Sequence, residues 1–311
     1  MRHVIGRCGL LVLVTAALSL NAGACARRRA APDPAYAAEI AAWQRQRVAS
    51  LTSDDGWLTL VGLFWLRPGE NRFGSHPRNE IVLPGRDVPA VAGTLTLAPD
   101  GTVTVHSLPE AGVMCGGRPV WTTTLRTDGH GAPDVLQLGH LRAHVIERAG
   151  AFALRVKDPT TTARREFKGI PTFPLDPAFR VVGSFRPYPS MREVKVATAQ
   201  GPAQTMLVPG IVEFTVAGRR CALEPFVSAP ADVHFFVVFR DATAGVESYG
   251  AGRFLDAVAP KAGSTSVVLD FNKAYNPPCA FTRFATCPLP TQQNTLSVRI
   301  EAGEKTPSQG H

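Results

Sequence analysis

The chain has 311 residues, 45% of them apolar and 19% charged, and a formal net charge of +8. Five of the positive charges are Arg2, Arg7, Arg27, Arg28 and Arg29, so the +3 left on the rest excludes a nucleic-acid surface. Behind a short leader, the length suffices for one large or two ordinary domains.

Residues 1–24 read as a signal peptide. Arg2 and Arg7 supply its positive end. Gly9 through Leu20 is an apolar run shorter than the roughly 20 residues that span a bilayer. Ala22 and Ala24 fit a signal-peptidase site. The small residues before Cys25 also resemble a bacterial lipobox, with Ala22 where Leu is usual. The expectation is an exported protein, in the periplasm or at the outer membrane, anchored by lipid on Cys25. Plain secretion is the alternative. Residues 25–34 form a basic tether, suited to anionic lipid. Later apolar runs such as Val233–Phe239 are strand length.

Residues 35–56 read as a helix and linker. The helix covers Tyr36–Leu51, with Ile40, Trp43 and Val48 near one stripe, and Asp54-Asp55-Gly56 stops it. The pattern then changes to period two. Thr94–Leu97 and Thr102–Val105 alternate around Pro99-Asp100-Gly101, which predicts a hairpin. Leu136–Leu138 and Leu141–Val145 repeat this around Gly139-His140, and Phe152, Leu154 and Val156 alternate again. Residues 157–205 are rich in proline, with few clean strands. Strands resume at Ile211–Val216, Val233–Arg240, Tyr249–Leu255 and Thr265–Phe271. The fold class is therefore mainly β: an N-terminal helix, a sandwich over 57–150 and a second β-rich domain over 151–305.

Gly69-Glu70-Asn71-Arg72-Phe73-Gly74 with Asn79-Glu80-Ile81-Val82-Leu83-Pro84, Gly116-Gly117-Arg118 and Val135–Gly139 resembles a forkhead-associated (FHA) domain over about residues 66–147. The resemblance implies a β-sandwich. The arginine with which that family holds phosphothreonine falls at Ser75 here. The next loop, Asp87-Val88-Pro89-Ala90-Val91-Ala92, has neither Ser nor His. Without charge-assisted donors the phosphate ligand does not carry over.

The chain from about 50 to 305 also resembles a bacterial domain-of-unknown-function family, number 1684. The residues that carry this are Asp55–Leu66, Asp158-Pro159, Arg164–Phe167, Phe239–Thr243, Tyr249–Leu255, Leu269–Phe281, Cys287–Pro290, Asn294 and Glu301–Lys305. This resemblance implies a place for a site and no activity.

Unusual chemistry concentrates in residues 270–294. Asp270 and Asn272, alternating on a strand, would share a face roughly 7 Å apart, with Tyr275 and Asn276 next in line. Asx turns in a proline-rich loop would use the same side chains as scaffold. Arg240, Tyr249 and Arg253 flank a tight turn, and Arg253 would either pair with Asp270 or grip an anion. Outside the leader and Cys25 there are four cysteines, which allow three pairings; Cys279 with Cys287 is the local pair, leaving Cys115 with Cys221.

Metals and cofactors find little support. His140 and His144 on a strand stand roughly 13 Å apart, and a zinc site on Cys279 and Cys287 needs two more ligands. Gly250-x-Gly252 lacks the third glycine of a dinucleotide fingerprint. There is no Gly-x-Ser-x-Gly elbow. The sequence leaves two functions open: binding of a polar envelope ligand, a glycan or peptide, at the 270–294 loop, or a hydrolase using Asp270 with Arg253 or Tyr275.

Overall fold

A computed structural model of the chain describes residues 31–85 and 87–308. The expected signal peptide and the lipid site at Cys25 lie outside the described residues.

Helix α1 spans Pro34–Thr52. Pro34 needs no hydrogen-bond donor in the first turn, and the Asp33 carboxylate accepts from the Ala35 amide at 2.7 Å. Its buried residues are Tyr36, Ile40 and Leu51. With Trp43 and Arg47 they form one stripe, and that stripe faces the far end of the chain. Among the described residues no helix is long and apolar enough to cross a membrane.

The first β unit follows. Its strands are β1 (Leu60–Trp65), β2 (Gly69–Gly74), β3 (Ile81–Val82), β4 (Gly93–Leu97), β5 (Val103–Ser107), β6 (Met114–Cys115), β7 (Arg118–Pro119), β8 (Thr122–Leu125), β9 (Leu136–Leu138), β10 (Leu141–Arg148) and β11 (Ala151–Lys157). They form a six-stranded sheet, β1-β11-β10-β9-β6-β7, and a five-stranded sheet, β3-β2-β4-β5-β8. Leu95 and Val105 of the smaller sheet share a buried core with Val145 and Val156 of the larger. The hairpin read at Pro99-Asp100-Gly101 is β4–β5: Asp100 accepts from the Thr102 amide at 2.9 Å, and Gly101 takes φ +86°. Because β11 pairs with both β1 and β10, the sandwich continues to Lys157, past the boundary expected at residue 150.

A short helix, α2 (Thr162–Arg165), leads to the second unit: β12 (Arg180–Val196), β13 (Gln204–Val216), β14 (Arg219–Leu223), β15 (His234–Phe239), β16 (Arg253–Val258) and β17 (Ser266–Asp270). One sheet runs β14-β13-β12-β17; β15 and β16 pair by themselves. Phe214, Phe239, Leu255, Leu269 and Phe271 pack together with Ile300 and Ala302 of the C-terminal segment.

The proline-rich segment differs from expectation, since it contains the 17-residue β12. The pairing register with β13 shifts between Pro187 and Arg192, so the interruption falls where the prolines lie. A strand accepts proline at an irregularity, where the ladder lacks a hydrogen bond anyway. The two units touch at Gly201, with φ +90°: a Cβ there would stand 2.2 Å from Cζ2 of Trp65.

Candidate functional site

The expected pair on one strand face does not form. Strand β17 ends at Asp270, whose carboxylate caps the next turn and accepts from the Asn272 amide at 3.2 Å. Tyr36 of α1 donates to Asp270 Oδ1 at 2.7 Å. Asn272 Nδ2 donates to Tyr36 Oη at 3.0 Å and to the Asp176 carbonyl at 2.9 Å, and Asn272 Oδ1 accepts from the Asp176 amide at 3.1 Å. Burial first, and then the Asp270 carboxylate, push the Tyr36 phenol far above its ordinary value. Asn272 is thus committed to internal bonds and serves as scaffold.

Tyr275 and Asn276 receive Arg47 of α1. The Arg47 guanidinium lies 4.9 Å from the Tyr275 ring centroid and 5.7 Å from that of Phe281. It donates to the Asn276 carbonyl at 2.7 Å and to Glu304 Oε1 at 3.2 Å. Glu304 Oε2 accepts from the Asn276 amide at 2.7 Å. Burial raises the Glu304 carboxyl, and Arg47 opposes the rise. The Tyr275 phenol is raised by burial and by the Asp256 carboxylate beside it.

Arg253 does not pair with Asp270. Its guanidinium is 1% exposed and binds Asp241 Oδ1 at 3.0 Å, with further bonds to the carbonyls of Ile300, Ala302 and Glu304. Those bonds fasten the C-terminal segment to the sheet, so Arg253 is structural. Arg240 is exposed, and its amide donates to the Asn294 carbonyl. Tyr249 donates to the Cys279 carbonyl at 3.0 Å. These residues are not gathered into one site.

All four described cysteines are free thiols. Cys115 packs on the sandwich core and Cys221 on the second core, so the expected long-range pair is not made. Cys279 and Cys287 are neighbours without a bond: the Cys279 amide donates to Cys287 Sγ at 3.2 Å. Among the described residues, no three His, Cys, Asp or Glu side chains gather to hold a metal.

One predicted residue does reach an open cleft. A hollow of about 440 Å³ lies along β16 and β17, lined by Arg180, Asp256, Lys261, Ser264, Asp270 and Lys273. β16 pairs with β15 and β17 with β12; β16 and β17 lie close together without pairing, and both contribute to the lining of the cleft. Arg180 Nε stands 3.9 Å from Asp270 Oδ2, and Lys273 pairs with Glu39 of α1. Sequence reasoning missed Asp256, Arg180 and Lys261. Asp256 did leave a trace, being the exposed polar member of an alternating strand between buried Leu255 and Ala257.

Residues 165–305 match the family described as "Protein of unknown function (DUF1684)". The Asp55–Leu66 motif lies ahead of that match. No curated protein matches the chain. Among solved structures, an uncharacterized protein of Haloarcula marismortui is 31% identical over 48% of this chain and 83% of its own, with a TM-score of 0.40. An FHA domain from Chlamydia trachomatis is 21% identical over 31% of this chain and 93% of its own, at 0.22. Mycobacterium tuberculosis EmbR, in complex with a low-affinity phosphopeptide, is 17% identical over 41% of this chain and 32% of its own, also at 0.22. Scores this low transfer no site. The segment that matches the DUF1684 family is the one that carries Arg180, Asp256, Asp270 and the Cys279–Cys287 pair.

Proposed function

We propose that this is an exported envelope protein, lipid-anchored at Cys25, that binds a polar ligand, a glycan or peptide, in the cleft between β16 and β17. The observation that carries the reading is the cleft's lining: carboxylates from Asp256 and Asp270 stand beside the cations Arg180, Lys261 and Lys273 in a hollow of about 440 Å³. That size is in the range of small-ligand sites. Charges of both signs on fixed strands suit a ligand with several polar groups. The ligand meets the 270–294 loop only at its beginning, through Asp270 and Lys273.

Native mass spectrometry of protein purified from envelopes, followed by titration of glycan and peptide fragments, tests this. A bound fragment lost in Asp256→Ala and Lys261→Ala supports the reading; binding unchanged in both overturns it. For the anchor, a fatty-acid analogue should label wild type and not Cys25→Ser. Equal recovery of unlabelled wild type in the soluble periplasm would sink that part.

The hydrolase alternative loses support from geometry. Asp241 holds Arg253, and Asp256 stands beside Tyr275, so neither named partner serves Asp270.

A further inference from the structure

Arg155 is 6% exposed, yet its Nε and Nη2 have no hydrogen-bond partner among the described residues. Leaving buried donors unmatched costs about 1–3 kcal/mol, more for a charged group. The surroundings make this harder to explain as scaffold. On the outer face of the six-stranded sheet, His144 sits directly opposite Arg155, and Arg142 opposite Lys157. Arg142 and Lys157 both reach Asp55, and Arg148 is paired with Asp128. Arg155 makes no such ion pair; the Asp128 carboxylate, already held by Arg148, acts on it only at longer range. Burial and the Arg148 charge bring its own proton affinity down to about 10.

The Arg155 guanidinium lies 5.2 Å from the centroid of a Trp57 ring, and Trp57 packs in one cluster with Cys279 and Cys287. Arg155 and Cys287 are close enough to act on each other electrostatically. The two thiols differ in access: Cys287 is 4% exposed, whereas Cys279 is half-buried. The Cys279 amide donates to Cys287 Sγ, and Tyr249 fixes the Cys279 carbonyl. A hydrogen bond from the Cys287 thiol holds Cys279 below its ordinary value, and the Cys287 thiol is raised in return.

We propose that Cys279 and Cys287 form a redox-active dithiol, with Cys279 as attacking thiol, Cys287 as resolving thiol and Arg155 as the cation that stabilises negative charge on the pair. A disulfide is neutral, whereas negative charge on the thiol pair would interact favourably with the buried Arg155 cation near Cys287. Reactive cysteines sit in such electropositive, partly exposed places. The reaction partner is a low-molecular-weight disulfide. The Cys279 thiolate attacks one of its sulfurs, a mixed disulfide forms, and one thiol leaves with the proton that Cys279 gave up. Cys287 then loses its proton and attacks the Cys279 sulfur. The Cys279–Cys287 bond forms and the second thiol leaves with that proton. The protein is oxidised by two electrons, and the small disulfide is reduced to two thiols.

The test uses the reduced full chain and oxidised glutathione, with alkylation at intervals and peptide-resolved mass spectrometry. Cys279 should take glutathione about tenfold or more faster than Cys115 or Cys221, then pass to the Cys279–Cys287 bridge. Cys287→Ser should stop at the mixed disulfide on Cys279. Arg155→Met should slow the first step, and Arg155→Lys should restore part of it. In wild type, the rate at Cys279 should level off below the pH of about 8.5 that marks a free thiol. A Cys279 rate equal to that of Cys115, or a profile rising through about 8.5, overturns the proposal without any variant. An unchanged rate in a folded Arg155→Met protein overturns the role of Arg155.

Discussion

Tyr36 donates its hydroxyl proton to Asp270 Oδ1 at 2.7 Å, joining the first turn of α1 to the end of β17 across 234 positions of sequence. Asn272 bonds to the same hydroxyl, so three side chains share one buried network. Tyr36→Phe should lower stability by about 1–3 kcal/mol, because it leaves the buried Asp270 and Asn272 short of a partner. Adding Asp270→Asn should cost less than the sum of the two single changes. Urea unfolding of the four proteins in the cycle measures both; strict additivity would show that the contact contributes nothing.

The Arg253–Asp241 pair is predicted to be structural. Both side chains are 1% exposed. Asp241→Asn should destabilise by about 3–5 kcal/mol, since it strands a buried guanidinium. Any ligand affinity should survive at temperatures where the variant remains folded. A wild-type melting temperature combined with lost binding would return Arg253 to the site.

Stability should depend on pH through His144. Burial, then the charges of Arg155 and Lys157, with Arg148 adding to them and Asp128 opposing, hold its imidazole down to about 4. The unfolded chain takes that proton near the ordinary value of about 6.5. Between these values protons favour the unfolded state. Stability is therefore full above about 6.5 and falls as pH drops towards about 4. Urea midpoints should follow that course in wild type and flatten over this window in His144→Gln.

Phosphopeptide arrays should show no phosphate-dependent binding to the sandwich. Ser75 donates its hydroxyl to the Val88 carbonyl at 2.7 Å and is used in holding the loop together. A reproducible micromolar phosphothreonine ligand would contradict this.

Local structure was the part most legible in the sequence. The β4–β5 hairpin follows from alternation and a Pro-Asp-Gly turn, and α1 follows from its stripe and stop. What the sequence hid was long-range pairing. Ile40 and Trp43 mark a helix face, but nothing nearby says that Tyr36 and Arg47 on that face meet Asp270 and Glu304. Arg253 looked like a ligand because an arginine in a glycine-rich turn reads the same whether its carboxylate is a substrate's or Asp241. Arg155 gave no signal at all: one basic residue in an alternating strand is usually solvated, and here it is buried beside Trp57. Strand β12 was hidden by prolines that the register shift absorbs.

The Arg47–Glu304 contact spans 257 positions, so α1, the earliest element among the described residues, is among the last to dock. Until residue 304 has been made, the Tyr275–Phe281 face lacks its carboxylate and α1 has no finished surface to lie on. The sandwich, built mostly from neighbouring hairpins, can close earlier, because short loops cost less to form. A chain interrupted before its last residues should therefore contain a folded sandwich carrying an undocked helix, a species open to proteases at α1 and sticky at the uncovered aromatic face.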